Sequence, residues 1–131
     1  MTRSITGWIL SGLLTALFVL SASGKFLQPE GTAESLEHIG YAAELMPKIG
    51  VVEIACVVLF LIPQTSFVGA VLLTGYMGGA IATHVRVGDV FVVQAVVGVL
   101  VWVALGLRKP GVFALAFAPS KAAASPSEPG S

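Results

Sequence analysis

Glu53 is the only charged residue in the run Ile49-Gly50-Val51-Val52-Glu53-Ile54-Ala55-Cys56-Val57-Val58-Leu59-Phe60-Leu61-Ile62. A carboxylate turned toward hydrocarbon costs several kcal/mol, so Glu53 must face inward and find a partner or hold a proton. A second concentration of polar chemistry lies at His84, Arg86 and Asp89, three ionisable side chains within six residues between two apolar stretches. Lys25, at the end of the first apolar run, and Gln94, within the last one, complete the set. Two carboxylates, two cations, an imidazole and an amide suit proton transfer beside a bound polar group. Glu53 is the candidate buried proton carrier, His84 the switch near neutral pH and Asp89 the surface acceptor. Lys25, Arg86 and Gln94 are the candidate substrate contacts. Each also has a structural reading. Lys25 can anchor a helix end, Arg86 and Asp89 can be loop charges, His84 can cap a helix, and Glu53 can be paired helix glue. Cys56, one turn from Glu53, reads as an inert small apolar residue.

Composition narrows the surroundings of these groups. The chain has 131 residues, enough for a single domain, with 56% hydrophobic and 11% charged residues and a mean hydropathy of +0.93. A soluble domain carries about 25% charged residues. With less than half of that, this chain cannot cover a water-facing surface, and lipid is its expected solvent. Seven basic and seven acidic residues cancel, so nothing points to nucleic acid, which demands a basic face. One cysteine allows neither an internal disulfide nor a C-x-x-C redox pair.

The elements that must position the polar residues follow from the apolar runs. Gly7 to Gly24 is 18 residues without a charge, close to the ~20 a helix needs to cross the hydrocarbon core. A cleaved signal peptide is the competing reading, with Arg3 as its basic region and Ser21-Ala22-Ser23 as the small-residue site. Further spans follow, so the run is read as the first transmembrane helix. Gln28-Pro29-Glu30-Gly31 punctuates the chain, and Thr32 is the expected N-cap of a short interfacial helix from about Ala33 to Met46. Pro47-Lys48 ends that helix, and the second span is expected over about 47–62. The short Pro63-Gln64-Thr65 link enforces an antiparallel hairpin with a third span over 66–83. That span holds Gly75 and Gly79 four apart with Thr83 on the same face, a surface for close helix contact that could serve a homodimer. The fourth span covers about 90–107. The domain so defined is 1–118, followed by a disordered tail over 119–131, rich in proline and serine. The expected fold class is all-α: an integral membrane four-helix bundle with a short interfacial helix between the first two spans.

Four spans place both termini on one side. That side carries Arg3, Arg108, Lys109 and Lys121 against Lys25, Lys48 and Arg86 on the other, so the positive-inside rule puts the termini in the cytoplasm. Lys25, His84, Arg86 and Asp89 then gather at the opposite ends of their helices. Glu53 lies six residues past Pro47, roughly 9 Å down its helix, and Gln94 lies at a comparable depth.

Ser23-Gly24-Lys25-Phe26-Leu27, the in-membrane Glu53 and Tyr76-Met77-Gly78-Gly79-Ala80-Ile81-Ala82-Thr83-His84-Val85-Arg86-Val87-Gly88-Asp89 together resemble the DoxX-like family of small four-helix membrane proteins. The likeness runs over about residues 5 to 108, and Lys25, Glu53, His84 and Asp89 match its characteristic charged positions. The resemblance implies a multi-pass bacterial inner-membrane protein. The wider group includes the small membrane subunit of a thiosulfate:quinone oxidoreductase, which makes a quinone or thiol–sulfur redox system the implied setting and an oxidoreductase the implied partner. No haem ligand pair and no metal cluster is evident in the sequence, and quinone is the cofactor the resemblance admits. Two alternatives stand beside this one: a carrier for a small or lipid-like molecule, and an accessory membrane protein without turnover.

Overall fold

The computed structural model describes residues 2–117. The expected tail over 119–131 lies outside them. The described chain is helical throughout, without strands: α1 (Thr2–Leu27), α2 (Thr32–Ile39), a 3-10 turn (Ala43–Leu45), α3 (Met46–Leu61), α4 (Ser66–Arg86), α5 (Val92–Arg108) and α6 (Gly111–Phe117).

Sequence punctuation explains most boundaries. Pro29 follows α1, and Gln28 before it takes a left-handed φ of 46° that turns the chain away. The segment expected as one helix to Met46 is instead broken at Gly40. Gly40 has φ 79°, its N–H bonds to Glu37 O, and the N–H of Tyr41 reaches Leu36 O at 3.0 Å. That is the hydrogen-bond pattern of a glycine-terminated helix. Thr32 is not the N-cap. Gly31 occupies that position at φ 89°, while the Thr32 hydroxyl donates to Pro29 O at 2.6 Å. Pro47 does not end a helix but opens one, in the first turn of α3, where its missing N–H costs nothing. Gly88, at φ 77°, closes α4 as Gly40 closes α2: Asp89 N–H reaches His84 O at 2.8 Å and Gly88 N–H reaches Val85 O at 3.2 Å. The third long helix therefore runs through His84 to Arg86, one turn beyond the expected Thr83.

α1 packs against α3 and α5, α3 against α4, and α4 against α5, so four helices close a cycle. Phe18, Val57, Phe60, Leu73, Val101 and Leu105 fill its core. α3 and α4 touch backbone to backbone at Gly69, where an added Cβ would lie 2.2 Å from Phe60 N. Arg108 clamps the end of α3. Its guanidinium donates to Phe60 O at 3.0 Å, Leu61 O at 3.4 Å and the Ser11 hydroxyl at 3.3 Å, and stacks 3.9 Å from the Trp8 ring. A cation there satisfies the last carbonyls of α3 and complements its dipole.

The outward faces are as apolar as the inside. Leu13, Leu20, Val51, Val52, Val92 and Val99 are all exposed, Leu20 to 71%. α1 and α4 are long and apolar enough to cross a membrane, and α5 joins them only if it is counted together with α6, from which it is bent by 110°. α3, with 16 residues, reaches about 24 Å against a core of about 30 Å.

Candidate functional site

Side chains from α1, α3, α4 and α5 line one cavity of about 480 Å3. Lys25 enters it from the last turn of α1, Glu53 from the second turn of α3, Tyr76, Thr83 and His84 from α4, and Gln94 from the first turn of α5. Ile39 and Tyr41, from the segment between α1 and α3, complete the wall at that end. Apart from Ser21, the remainder is apolar and includes Leu17, Phe18, Met77 and Val97.

Glu53 is completely buried. Its Oε2 accepts from Lys25 Nζ at 2.8 Å and from Tyr76 OH at 3.0 Å, so one carboxylate oxygen joins α1, α3 and α4. The Lys25 ammonium also donates to Ser21 Oγ at 2.7 Å and lies 5.9 Å from the centre of the Tyr76 ring. Glu53 Oε1 is buried and has no partner among the described residues. A charge at this depth is tolerable because its counter-ion is at contact distance.

His84 takes its tautomer from its own helix. Nδ1 donates to Ala80 O at 2.8 Å, which leaves Nε2 as the acceptor facing Gln94 Nε2 at 3.4 Å. Gln94 Oε1, like Glu53 Oε1, is buried without a partner among the described residues. Thr83 Oγ1 donates to Gly79 O at 2.9 Å and accepts from Tyr41 OH at 2.7 Å.

Of the six residues singled out in the sequence, Lys25, Glu53, His84 and Gln94 share the cavity, and Arg86 and Asp89 stand outside it. Asp89 binds His38 Nε2, with distances of 3.0 and 3.1 Å to its two oxygens. Arg86 Nη2 donates to Ile39 O, and its guanidinium lies 5.9 Å from the Tyr41 ring. Both therefore hold the α2 segment over the end of α4. Gly75 and Gly79 are exposed and line the cavity, and a Cβ at either meets nothing within 4 Å. No neighbouring helix among the described residues uses that face, and Thr83 is buried. Among the described residues no three His, Cys, Asp or Glu side chains gather as a metal site.

The model of the DoxX-like family matches residues 9–106. The chain belongs to the DoxX-like family. With its lipid-ready helices, this DoxX-like chain is a membrane protein. The matched stretch holds every polar side chain of the cavity, and it leaves out Arg108 and α6. Neither a curated protein nor a solved structure matches the DoxX-like chain.

Sequence reasoning passed over Tyr76, Tyr41, Ser21 and His38. Tyr76 had one available signal: it sits in the same apolar run as His84, two turns earlier, on the face that α4 turns inward at Met77 and Leu73. Ser21 had one too, four residues before Lys25 on the same helix, whereas Tyr41 and His38 carried none, because their partners are 42 and 51 residues away.

Proposed function

We propose that this DoxX-like chain is a four-span protein of the bacterial inner membrane with both termini in the cytoplasm. It serves there as the small membrane subunit of a redox system that handles a quinone or a thiol–sulfur compound. In this reading α1, α3, α4 and α5 are the spans of a four-helix bundle, and α2 with the 3-10 turn lies at the outer interface. The shortness of α3 is met by the Arg108 clamp, which satisfies its last carbonyls inside the apolar layer.

The observation that carries this reading is the cavity itself: apolar walls with a buried carboxylate, an imidazole and an amide at one end. Ligand sites have that composition, a mostly apolar enclosure with a few convergent polar groups. Glu53 is the proton carrier, His84 the switch, and the Asp89–His38 pair the surface terminus. Lys25 and Gln94 contact the substrate, while Arg86 acts through Tyr41 and Ile39. Leu17, Gly75, Gly79 and Val93 are cavity walls exposed along the helices, which suits a ligand arriving from lipid. The partner is an oxidoreductase at the membrane surface, with the bare Gly75–Gly79 face left for lipid or for a second copy.

Glu53→Gln keeps the size of the side chain and an acceptor for Lys25 and Tyr76, but it cannot titrate near neutral pH. In a deletion-strain rescue we expect Glu53→Gln to reach normal membrane levels and thermal stability with activity lost, and His84→Ala to lose activity likewise. One observation favours a scaffolding role without turnover: the Lys25–Glu53–Tyr76 contact ties three helices together. Wild-type rescue by Glu53→Gln would establish that alternative.

A further inference from the structure

The polar end of the cavity is unbalanced between donors and acceptors. Its donors are engaged: the Lys25 ammonium on Ser21 and Glu53, the Tyr76 hydroxyl on Glu53, the His84 Nδ1–H on Ala80 O. The Tyr41 and Thr83 hydroxyls are spent on Thr83 and on Gly79 O. The second N–H of Gln94 and the O–H of Ser21, whose oxygen accepts from Lys25, are the side-chain donors left, and neither reaches Glu53 Oε1. Two acceptors, by contrast, stand unpaired among the described residues on cavity-lining side chains, Glu53 Oε1 and Gln94 Oε1. A buried acceptor without a donor is costly, and a carboxylate oxygen more so than an amide oxygen. The group that completes this site therefore brings hydrogens.

We infer that the cavity selects an apolar molecule with a hydroxyl head that donates a hydrogen bond to Glu53 Oε1, over a ligand of the same shape whose head can only accept. This rests on the reading of the cavity as a ligand site and deepens it. Within the redox reading it selects the reduced, hydroxyl-bearing form of the carrier over its carbonyl form. Apolar walls such as Phe18, Met77 and Val97 hold the body of the molecule, and the carboxylate reads the head.

Glu53→Gln makes the inference sharply testable. Lys25 and Tyr76 both donate to Oε2, so the amide carbonyl must take that place, and the NH2 falls where Oε1 was. An orphan acceptor becomes a donor, and the preference should vanish or reverse.

The probes are 4-pentylphenol and 4-pentylanisole, which share a ring and chain and differ in that a methyl group replaces the donor hydrogen; the Glu53→Gln arm separates the lost donor from the added bulk. Binding is measured by equilibrium dialysis against the full chain in nanodiscs, with empty nanodiscs as the reference. The anisole partitions better into lipid, so non-specific uptake works against the expected order. Wild type should bind the phenol tighter by about tenfold or more, the worth of a hydrogen bond to a charged group. Glu53→Gln should remove that advantage. Gly79→Leu, whose Cβ meets nothing within 4 Å, should fill the cavity and weaken both ligands while the protein stays folded. Equal binding of the two probes to wild type overturns the donor selectivity and leaves the cavity reading standing. An advantage of the phenol that survives Glu53→Gln overturns it as well. Binding of neither probe, or binding of both that ignores Gly79→Leu, defeats the cavity reading along with it.

Discussion

Tyr76 and Lys25 share a single oxygen of Glu53, so the carboxylate is solvated by protein on one side only. Removing either donor shifts the whole burden to the other. Tyr76→Phe keeps the ring beneath the Lys25 ammonium and deletes only the hydroxyl. A hydrogen bond to a charged group is worth about 1.5–3 kcal/mol, so we expect Tyr76→Phe to lower stability by about 2 kcal/mol with the fold intact. The same change in a Glu53→Gln background should cost less, because the bond it deletes is then between neutral groups. Thermal unfolding of the four proteins in detergent closes this double-mutant cycle, and equal losses in both backgrounds would show that the hydroxyl and the carboxylate are uncoupled. His38 and Asp89 make the other contact between a basic and an acidic side chain among the described residues, but both are open to solvent. Exposed pairs of this kind contribute roughly 0–1 kcal/mol, so that contact steers the α2 segment more than it stabilises the chain.

At the scale of the helices, glycine has two separate uses in α4. Gly69 lets α3 and α4 touch backbone to backbone, with an added Cβ only 2.2 Å from Phe60 N and 2.5 Å from its Cα. Gly75 faces open space. Alanine at Gly69 must push two helices apart, and overpacking of this kind costs about 1–3 kcal/mol. Alanine at Gly75 meets no obstacle and gains helix propensity of up to about 1 kcal/mol. Gly69→Ala should therefore unfold at a markedly lower temperature than wild type, and Gly75→Ala at the same temperature or higher. A Gly75→Ala loss as large as that of Gly69→Ala would mean that a second chain packs on the Gly75 face. The α2 segment is tied to α4 and its exit loop by three contacts of different kinds: Tyr41 to Thr83, Arg86 to Ile39 O and His38 to Asp89. A helix of eight residues with one buried side chain, Leu36, holds its place through these tertiary bonds and not through its own propensity.

For the molecule as a whole, the proposed topology places the cavity end of the helices outside and the Arg108 clamp inside. A reporter fused after Ser131 should be active only in the cytoplasm, and one inserted in the Gln28–Gly31 turn only outside. Both reporters active on one side would overturn the four-span arrangement. Loss of residues 1–23 from the mature protein would do the same, since it would remove Ser11, whose hydroxyl Arg108 uses, and Phe18 from the core.

The sequence alone was enough to set the solvent and the sites of stress. A chain with 11% charged residues leaves its helices apolar outside as well as inside, and a lone Glu53 in such a helix is visible because ionised groups there are so costly. Lys25, His84 and Gln94 stood out for the same reason. Hydroxyls did not, since a serine or threonine in an apolar helix is routinely satisfied by the carbonyl four residues back, as Ser11, Thr15 and Thr74 are here. Helix boundaries were legible at Pro29 and at the Pro63 link and were misjudged at Gly40 and Thr32, where a left-handed glycine outweighed the local pattern, at Pro47, which opens a helix, and at Thr83, which α4 overruns to Arg86. Only the tertiary structure decided pairing. Lys25 meets Glu53 across 28 residues, Arg108 reaches Ser11 across 97, and Asp89 turns to His38 across 51 and away from the cavity. Those distances in sequence carry no periodic signal, because partner choice is settled by which helix faces close against each other, and that closure is a property of the packed cycle of four helices.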